Sequence, residues 1–292
     1  MKTAVIGVGL MGLGMALRLR DAGWPVAVRD VLPEREALAV AAGAVALPSP
    51  AAVGAASELL IVAVVDAAQT DEVLFGRDGA AAAMARGACV MLCPTIGPSD
   101  VARFAARLQT MGLACIDAPM SGGPARARDG SMSLMVACED ALFVRYETQL
   151  RQLSSRLFRV GTRCGDGAKT KLVNNLLAAA NLGAACEALA LAEHLGLDAR
   201  TTLDVIDQSS GQSWIGTDRL ARHLAGDTEP RARMALLTKD SGLAMAMAAE
   251  AGVRPAIGAQ AAALFRAACA AGLTDEDDSA LLNLLRAQHP GR

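Results

Sequence analysis

Residues 168–195 contain no proline and a single glycine, Gly183, and Gly196 follows as a natural helix stop. At ~1.5 Å per residue this run makes a helix ~40 Å long, enough to link two domains. The chain reads differently on its two sides. Upstream, short apolar runs at 3–6, 26–29, 59–65, 88–92, 114–116 and 131–137 read as strands. Helical spacing, with start residues such as Pro33 and Ser99, marks 11–22, 33–42, 70–75, 99–111 and 139–153. Such alternation builds a doubly wound, mostly parallel sheet covered on both faces. Downstream, 199–209, 217–225, 234–251, 255–271 and 277–287 read as helices only. The expected architecture is an α/β domain over 1–163 and an all-helical domain over 164–292. Within the long helix, Leu172, Leu176, Ala179, Gly183, Cys186 and Ala190 recur at steps of four and three. A seam of such small residues suits close packing against another helix.

Composition narrows the function classes. With 53% hydrophobic residues but only 3% aromatic, both cores must be built from Ala, Leu, Val and Met. A net charge of -2 argues against a nucleic-acid partner, which calls for a basic patch. The seven cysteines are odd in number and scattered, so no disulfide framework is expected. Cys89 and Cys93 lack a nearby histidine, which argues against a metal site. Met1-Lys2 leads straight into a strand, so no secretory leader is expected. The longest apolar segment, 59–65, falls far short of the ~20 residues of a membrane span. These features predict a soluble cytoplasmic protein without a membrane partner.

Gly7, Gly9 and Gly12 form G-x-G-x-x-G directly after the first strand and before a helix. That placement is the dinucleotide signature of a Rossmann domain: a tight turn, a close backbone approach to pyrophosphate, and close helix–strand packing. Asp30 ends the second strand, where an acid meets the ribose hydroxyls of NAD. Val31 follows it directly, and NADP would want a cation there; Arg29 and Arg35 are near but read as solvated. NAD is therefore favoured over NADP. Asp117-Ala-Pro-Met-Ser-Gly-Gly-Pro124 reads as a second glycine-rich turn, in which Ser121, Gly122 and Gly123 can make an anion nest suited to a carboxylate. On the long helix, Lys171 and Asn175 stand one turn apart on one face, with Asn174 flanking. A lysine in a cleft can exchange protons with a substrate oxygen, and an asparagine can orient that oxygen. Lys169 points elsewhere and reads as exposed. By residue type alone, Lys239-Asp240 reads as a surface ion pair.

Together these segments resemble the β-hydroxyacid dehydrogenase family, which includes 3-hydroxyisobutyrate dehydrogenase and tartronate semialdehyde reductase. Five motifs match in order: Gly7–Met15, Thr95 in Cys-Pro-Thr-Ile-Gly-Pro, Asp117 to Gly123, Gly167 to Asn175, and Lys239-Asp240. The resemblance implies a Rossmann domain, a long interdomain helix and a helical domain that also forms the subunit interface of a homodimer or homotetramer. It implies Lys171 as catalytic acid/base and Ser121, Gly122, Gly123 and Asn175 holding the substrate, and Asn174, flanking Asn175, is a further candidate at the substrate. It implies Leu10, Met11, Val64, Thr95 and Lys239 at the cofactor, which removes Lys239 from the surface. Pro124-Ala-Arg126-Ala127 departs from the common Gly-Ala pattern and is similar to the subgroup containing L-threonate dehydrogenase, as is Glu276-Asp-Asp-Ser-Ala280. Arg126 then becomes a candidate contact to a longer or more polar acid. The expected activity is NAD-dependent interconversion of a 3-hydroxy acid and its semialdehyde or keto acid. The competing expectations are an imine reductase, whose group usually lacks the lysine, and a non-catalytic module that keeps the fold.

Overall fold

The computed structural model describes residues 2–288. The chain resolves into two compact units, one running to Lys171 and one from Leu172, so the division falls inside the long helix. The first unit opens β1 (Thr3–Ile6), α1 (Leu10–Asp21), β2 (Val26–Arg29), α2 (Pro33–Ala41), β3 (Val45–Ala46), α3 (Pro50–Ala55), β4 (Leu59–Val62), α4 (Ala67–Phe75) and β5 (Cys89–Leu92). It continues α5 (Pro98–Thr110), β6 (Ala114–Asp117), β7 (Met120–Ser121), α6 (Gly123–Asp129), β8 (Ser133–Ala137), α7 (Asp140–Leu153) and β9 (Arg156–Gly161). The long helix is α8 (Asp166–His194). The second unit adds α9 (Ala199–Asp207), α10 (Trp214–Leu224), α11 (Met234–Glu250), α12 (Ala256–Ala268) and α13 (Leu281–Gln288).

The sheet runs β3-β2-β1-β4-β5-β6 in parallel; β8 then joins antiparallel, β7 pairs antiparallel with β8, and β9 pairs with it in parallel. Strand order reverses between β1 and β4, the crevice where open α/β sheets bind ligands. Both faces of the strands are covered, so consecutive residues enter opposite cores. Val5, Val28, Ile61 and Met91 pack with Met15 and Leu19 of α1 and with Tyr146 and Leu150 of α7. Ala4, Ile6, Leu60, Val62, Val90 and Leu92 pack with Phe104 and Leu108 of α5. Near-continuous burial along β1, β4 and β5 is the pattern of a two-faced parallel sheet.

Several elements differ from the expectation. The strand expected over 59–65 stops at Val62, because Asp66 caps α4 by accepting from the Gln69 N–H and turns the chain out of the sheet. The two-residue strands β3 and β7 and the mostly exposed edge strand β9 lack an alternating pattern and were not expected. The short helices α3 and α6 were also missed. Arg126 consequently lies on a helix where a plain turn was read.

In the second unit the α8 seam packs as its spacing predicts. A Cβ on Gly183 would stand 3.2 Å from Leu264, and one on Gly258 would stand 2.9 Å from Leu176, so α8 and α12 meet closely. Leu182, Cys186 and Leu189 join Phe265, Leu281 and Leu282 in the core. The 276–280 motif closes this unit. Buried Asp277 accepts from the Ser279 hydroxyl (2.7 Å) and the Arg231 N–H (3.0 Å), while Arg219 holds Asp278 at 2.7 Å. The expectation that no apolar segment exceeds 59–65 is corrected. Asp166–His194 and Ala256–Leu273 are each long and apolar enough to cross a membrane by length and composition, with a mean hydropathy of 1.4. Alanine-rich helices reach that average although scattered polar residues break every apolar run.

Candidate active site

The three fingerprint glycines each answer a separate steric demand. Gly7 adopts φ +89°, a region that favours glycine, and a Cβ there would stand 2.7 Å from the Ala63 carbonyl oxygen and 3.1 Å from Val64. A Cβ on Gly12 would fall 1.8 Å from the Gly7 carbonyl oxygen, so helix and loop could not pack with any larger residue. Gly9 faces open space. It is also the N-cap of α1, which starts without a side-chain cap and with no acid in its first turn. An anion can therefore approach the first N–H groups of α1 at the positive end of its dipole. Leu10 is exposed and Met11 half-buried at that helix start. These residues fit the pyrophosphate of a dinucleotide.

Asp30 sits at the end of β2 and ties the loop down: its Oδ2 accepts from the Val8 N–H at 2.7 Å and its Oδ1 from the Leu32 N–H at 3.0 Å. Arg29 is not solvated as expected. Its Nη1 pairs with Glu36 Oε1 at 2.7 Å and also donates to the Asp30 carbonyl. The same Glu36 oxygen accepts from the Asp30 N–H at 2.9 Å. Burial works against the charge on Glu36, yet the Asp30 N–H and the Arg29 guanidinium hold its carboxyl below the usual range. Glu36 carries no motif, and only its spacing from Arg29 could have drawn notice.

Asp117, the last residue of β6, organises the start of α8. Its Oδ2 accepts from the N–H groups of Gly165 (2.7 Å) and Ala168 (3.1 Å). A Cβ on Gly167 would stand 2.8 Å from the Asp117 carboxyl carbon and from the Met135 carbonyl, which explains the glycine. Burial pushes the Asp117 carboxyl up to about 6, against the N–H groups of Gly165, Ala168 and Gly167. Ser121 pairs with Ser133 on β8, and Gly122 and Gly123 follow with φ +129° and +77°. Both lie in the left-handed region that favours glycine, so this turn keeps its backbone N–H groups clear of side chains. Arg126 folds back over this turn: a Cβ on Gly122 would meet its Cδ at 2.8 Å. Thr95 and Val64 lie half-buried in the loops after β5 and β4, the ends of the strands where the sheet binds ligands.

On α8, Lys171 is buried at 7% exposure and Asn175 at 8%, while Asn174 is exposed; Lys169 is exposed and pairs with Asp166. The Asn175 amide is locked at both ends. Its Nδ2 donates to Asp240 Oδ2 at 2.6 Å, and its Oδ1 accepts from Asn174 Nδ2 at 3.1 Å. Asp240 Oδ1 accepts from Lys239 Nζ at 2.7 Å. Asp240 is buried, so Lys239–Asp240 is no surface pair, and the residue-type reading is corrected. Asp240 joins an asparagine and a lysine from two helices, a role that a two-residue motif does not reveal.

A glycine cradle on an open, mostly parallel sheet, followed by a buried lysine on a helix clamped to that sheet, has the parts that a nicotinamide-nucleotide oxidoreductase needs. Residues 2–161 match the NAD binding domain of 6-phosphogluconate dehydrogenase, and residues 165–285 match the NAD-binding family of NADP-dependent 3-hydroxyisobutyrate dehydrogenase. The chain is 37% identical to L-threonate dehydrogenase of Cupriavidus necator, over 96% of this chain and 94% of that one. It is 32% identical to 2-hydroxy-3-oxopropionate reductase of Escherichia coli, over 98% and 97% respectively. A solved 3-hydroxyisobutyrate dehydrogenase from Salmonella typhimurium superposes with a TM-score of 0.91 at 33% identity, covering 97% of this chain and 99% of that one. The chain belongs to the β-hydroxyacid dehydrogenase family, enzymes that act on a CH–OH group with a nicotinamide dinucleotide.

Proposed function

We propose that this enzyme uses NAD in preference to NADP and acts on a polyhydroxy acid of the threonate type. The observation that carries the catalytic reading is buried Lys171, one turn ahead of an Asn175 whose amide is fixed by Asp240. A bound nicotinamide supplies the hydride acceptor at its C4. In oxidation, neutral Lys171 takes the proton of the substrate hydroxyl as its carbon gives up hydride. In reduction, protonated Lys171 polarises the carbonyl and returns the proton. Asn175 has a second amide hydrogen with which to hold the same oxygen, and stabilising the developing alkoxide lowers the barrier. Ser121, Gly122 and Gly123 take the substrate carboxylate, and Asn174, hydrogen-bonded to Asn175, is the further candidate for the substrate. Leu10, Met11, Val64, Thr95 and Lys239 serve the cofactor. Asp30, followed by Val31, favours the free 2′-hydroxyl of NAD over the phosphate of NADP.

Threonate-type chemistry is supported by Arg126, whose side chain lies over the Gly122 turn, and by the several L-threonate dehydrogenases among the relatives. A planar guanidinium suits a hydroxyl-bearing distal end better than a methyl group. A soluble, cytoplasmic homodimer or homotetramer without a nucleic-acid or membrane partner completes the reading. Leu191, Leu195, Val205 and Ile257 leave exposed apolar side chains on the second unit for a further copy to cover. The test is a panel of hydroxy acids, among them L-threonate and 3-hydroxyisobutyrate, with NAD and NADP, followed by absorbance of the reduced cofactor. L-threonate with NAD should give the highest kcat/KM, and Arg126→Gly should lower it selectively relative to 3-hydroxyisobutyrate. Turnover of cyclic imines but of no hydroxy acid would overturn the proposal.

A further inference from the structure

Arg29 stands one residue before Asp30 at the ribose end of the glycine crevice, where a cation would recruit the 2′-phosphate of NADP. Yet its guanidinium is held in place by a carboxylate from the first turn of α2. Glu36 Oε1 lies 2.7 Å from Arg29 Nη1, with side-chain exposures of 17% and 27%, and the same oxygen takes the Asp30 N–H. We infer that Glu36 is a positioning residue for cofactor choice: it holds Arg29 away from a 2′-phosphate and keeps Asp30 turned to the ribose.

Two effects act in one direction. A 2′-phosphate brings about -1.5 to -2 charges, which meet the Asp30 carboxylate, while the charge of Glu36 is already taken up by Arg29. To answer that charge, Arg29 would have to leave a half-buried ion pair and strand a carboxylate whose second partner is the Asp30 backbone. The neutral 2′-hydroxyl of NAD requires neither. Discrimination therefore rests on a residue that need not touch the cofactor. The inference builds on the cofactor reading above.

Calorimetric titration of NAD+ and NADP+ into the full-length protein tests it without turnover. Glu36→Gln keeps an acceptor for the Asp30 N–H and removes only the charge. This variant should bind NADP+ about tenfold more tightly than the wild type, with NAD+ affinity within about threefold. Adding Arg29→Ala to it should abolish the gain, and Arg29→Ala alone should leave NADP+ binding within about twofold of wild type. Equal weakening of both nucleotides in Glu36→Gln would mark a plain brace and overturn the inference. So would a gain that survives Arg29→Ala, or a loss of NADP+ binding in Arg29→Ala alone, the variant that decides if Glu36→Gln does not fold. A wild type that binds neither nucleotide would instead remove the cofactor reading itself.

Discussion

The two units hold their functional groups by different means. In the α/β unit the key carboxylates grip backbone: Asp30 takes the Val8 and Leu32 N–H groups, and Asp117 takes those of Gly165 and Ala168. In the helical unit, side chain holds side chain, in the run Asn174–Asn175–Asp240–Lys239. Backbone-anchored groups are part of the fold, so disturbing them should cost stability and binding together. A side-chain relay rests on helices that form without it, so its loss should fall on rate and leave the fold. Lys171 lies at the join, on a helix started by the first arrangement and continued into the second.

The largest effect should separate chemistry from folding. Lys171→Ala is expected to lower kcat by about 10²–10⁴-fold, the usual contribution of a positioned acid/base, with NAD+ affinity and melting temperature nearly unchanged. Retention of more than about a tenth of wild-type turnover would remove the lysine from that role. Next comes Gly12→Ala, which places a carbon 1.8 Å from the Gly7 carbonyl oxygen. Overpacking of this kind costs about 1–3 kcal/mol or more, so the melting temperature should drop and dinucleotide binding should fail with it. A variant that melts like wild type and binds NAD+ would show that the loop yields more easily than its packing suggests.

The smallest effect is a pH dependence carried by one carboxyl of the α/β unit. Asp117 is held at about 6, above its ordinary carboxylate value, because burial disfavours its charge. A raised carboxyl stabilises the fold most fully below its unfolded value near 4, and the contribution is lost as pH rises through about 6. Two pH units correspond to about 3 kcal/mol at most, and coupled groups will reduce it. Asp117→Asn keeps an acceptor for the α8 N–H groups and cannot ionise. Its stability relative to wild type should therefore rise between pH 4 and pH 7 in chemical denaturation. A difference independent of pH would show that Asp117 stays charged throughout.

What could be read from sequence followed the range of the constraint. The glycine fingerprint, the strand–helix alternation and the seam on α8 are local, since each depends on steric limits a few residues apart. They were legible, as was the pairing of Lys171 with Asn175 one turn later. The strands β3 and β7 were not, because two residues carry no period. Lys239–Asp240 read as a surface pair because residue type says nothing of burial. Its partner Asn175 lies 65 positions away, and Asp117 lies 48 positions from Gly165. Even Glu36, seven residues from Arg29, needed α2 to fold back against the end of β2 before its carboxylate could meet the guanidinium. The sequence by itself determined the class of fold, the glycine turn after β1 and the place of Lys171 one turn ahead of Asn175 on its helix, since backbone sterics and helical periodicity act locally. Only the tertiary structure decided which charges are buried and which partner each one holds, because desolvation and hydrogen-bond geometry exist only once distant segments have packed.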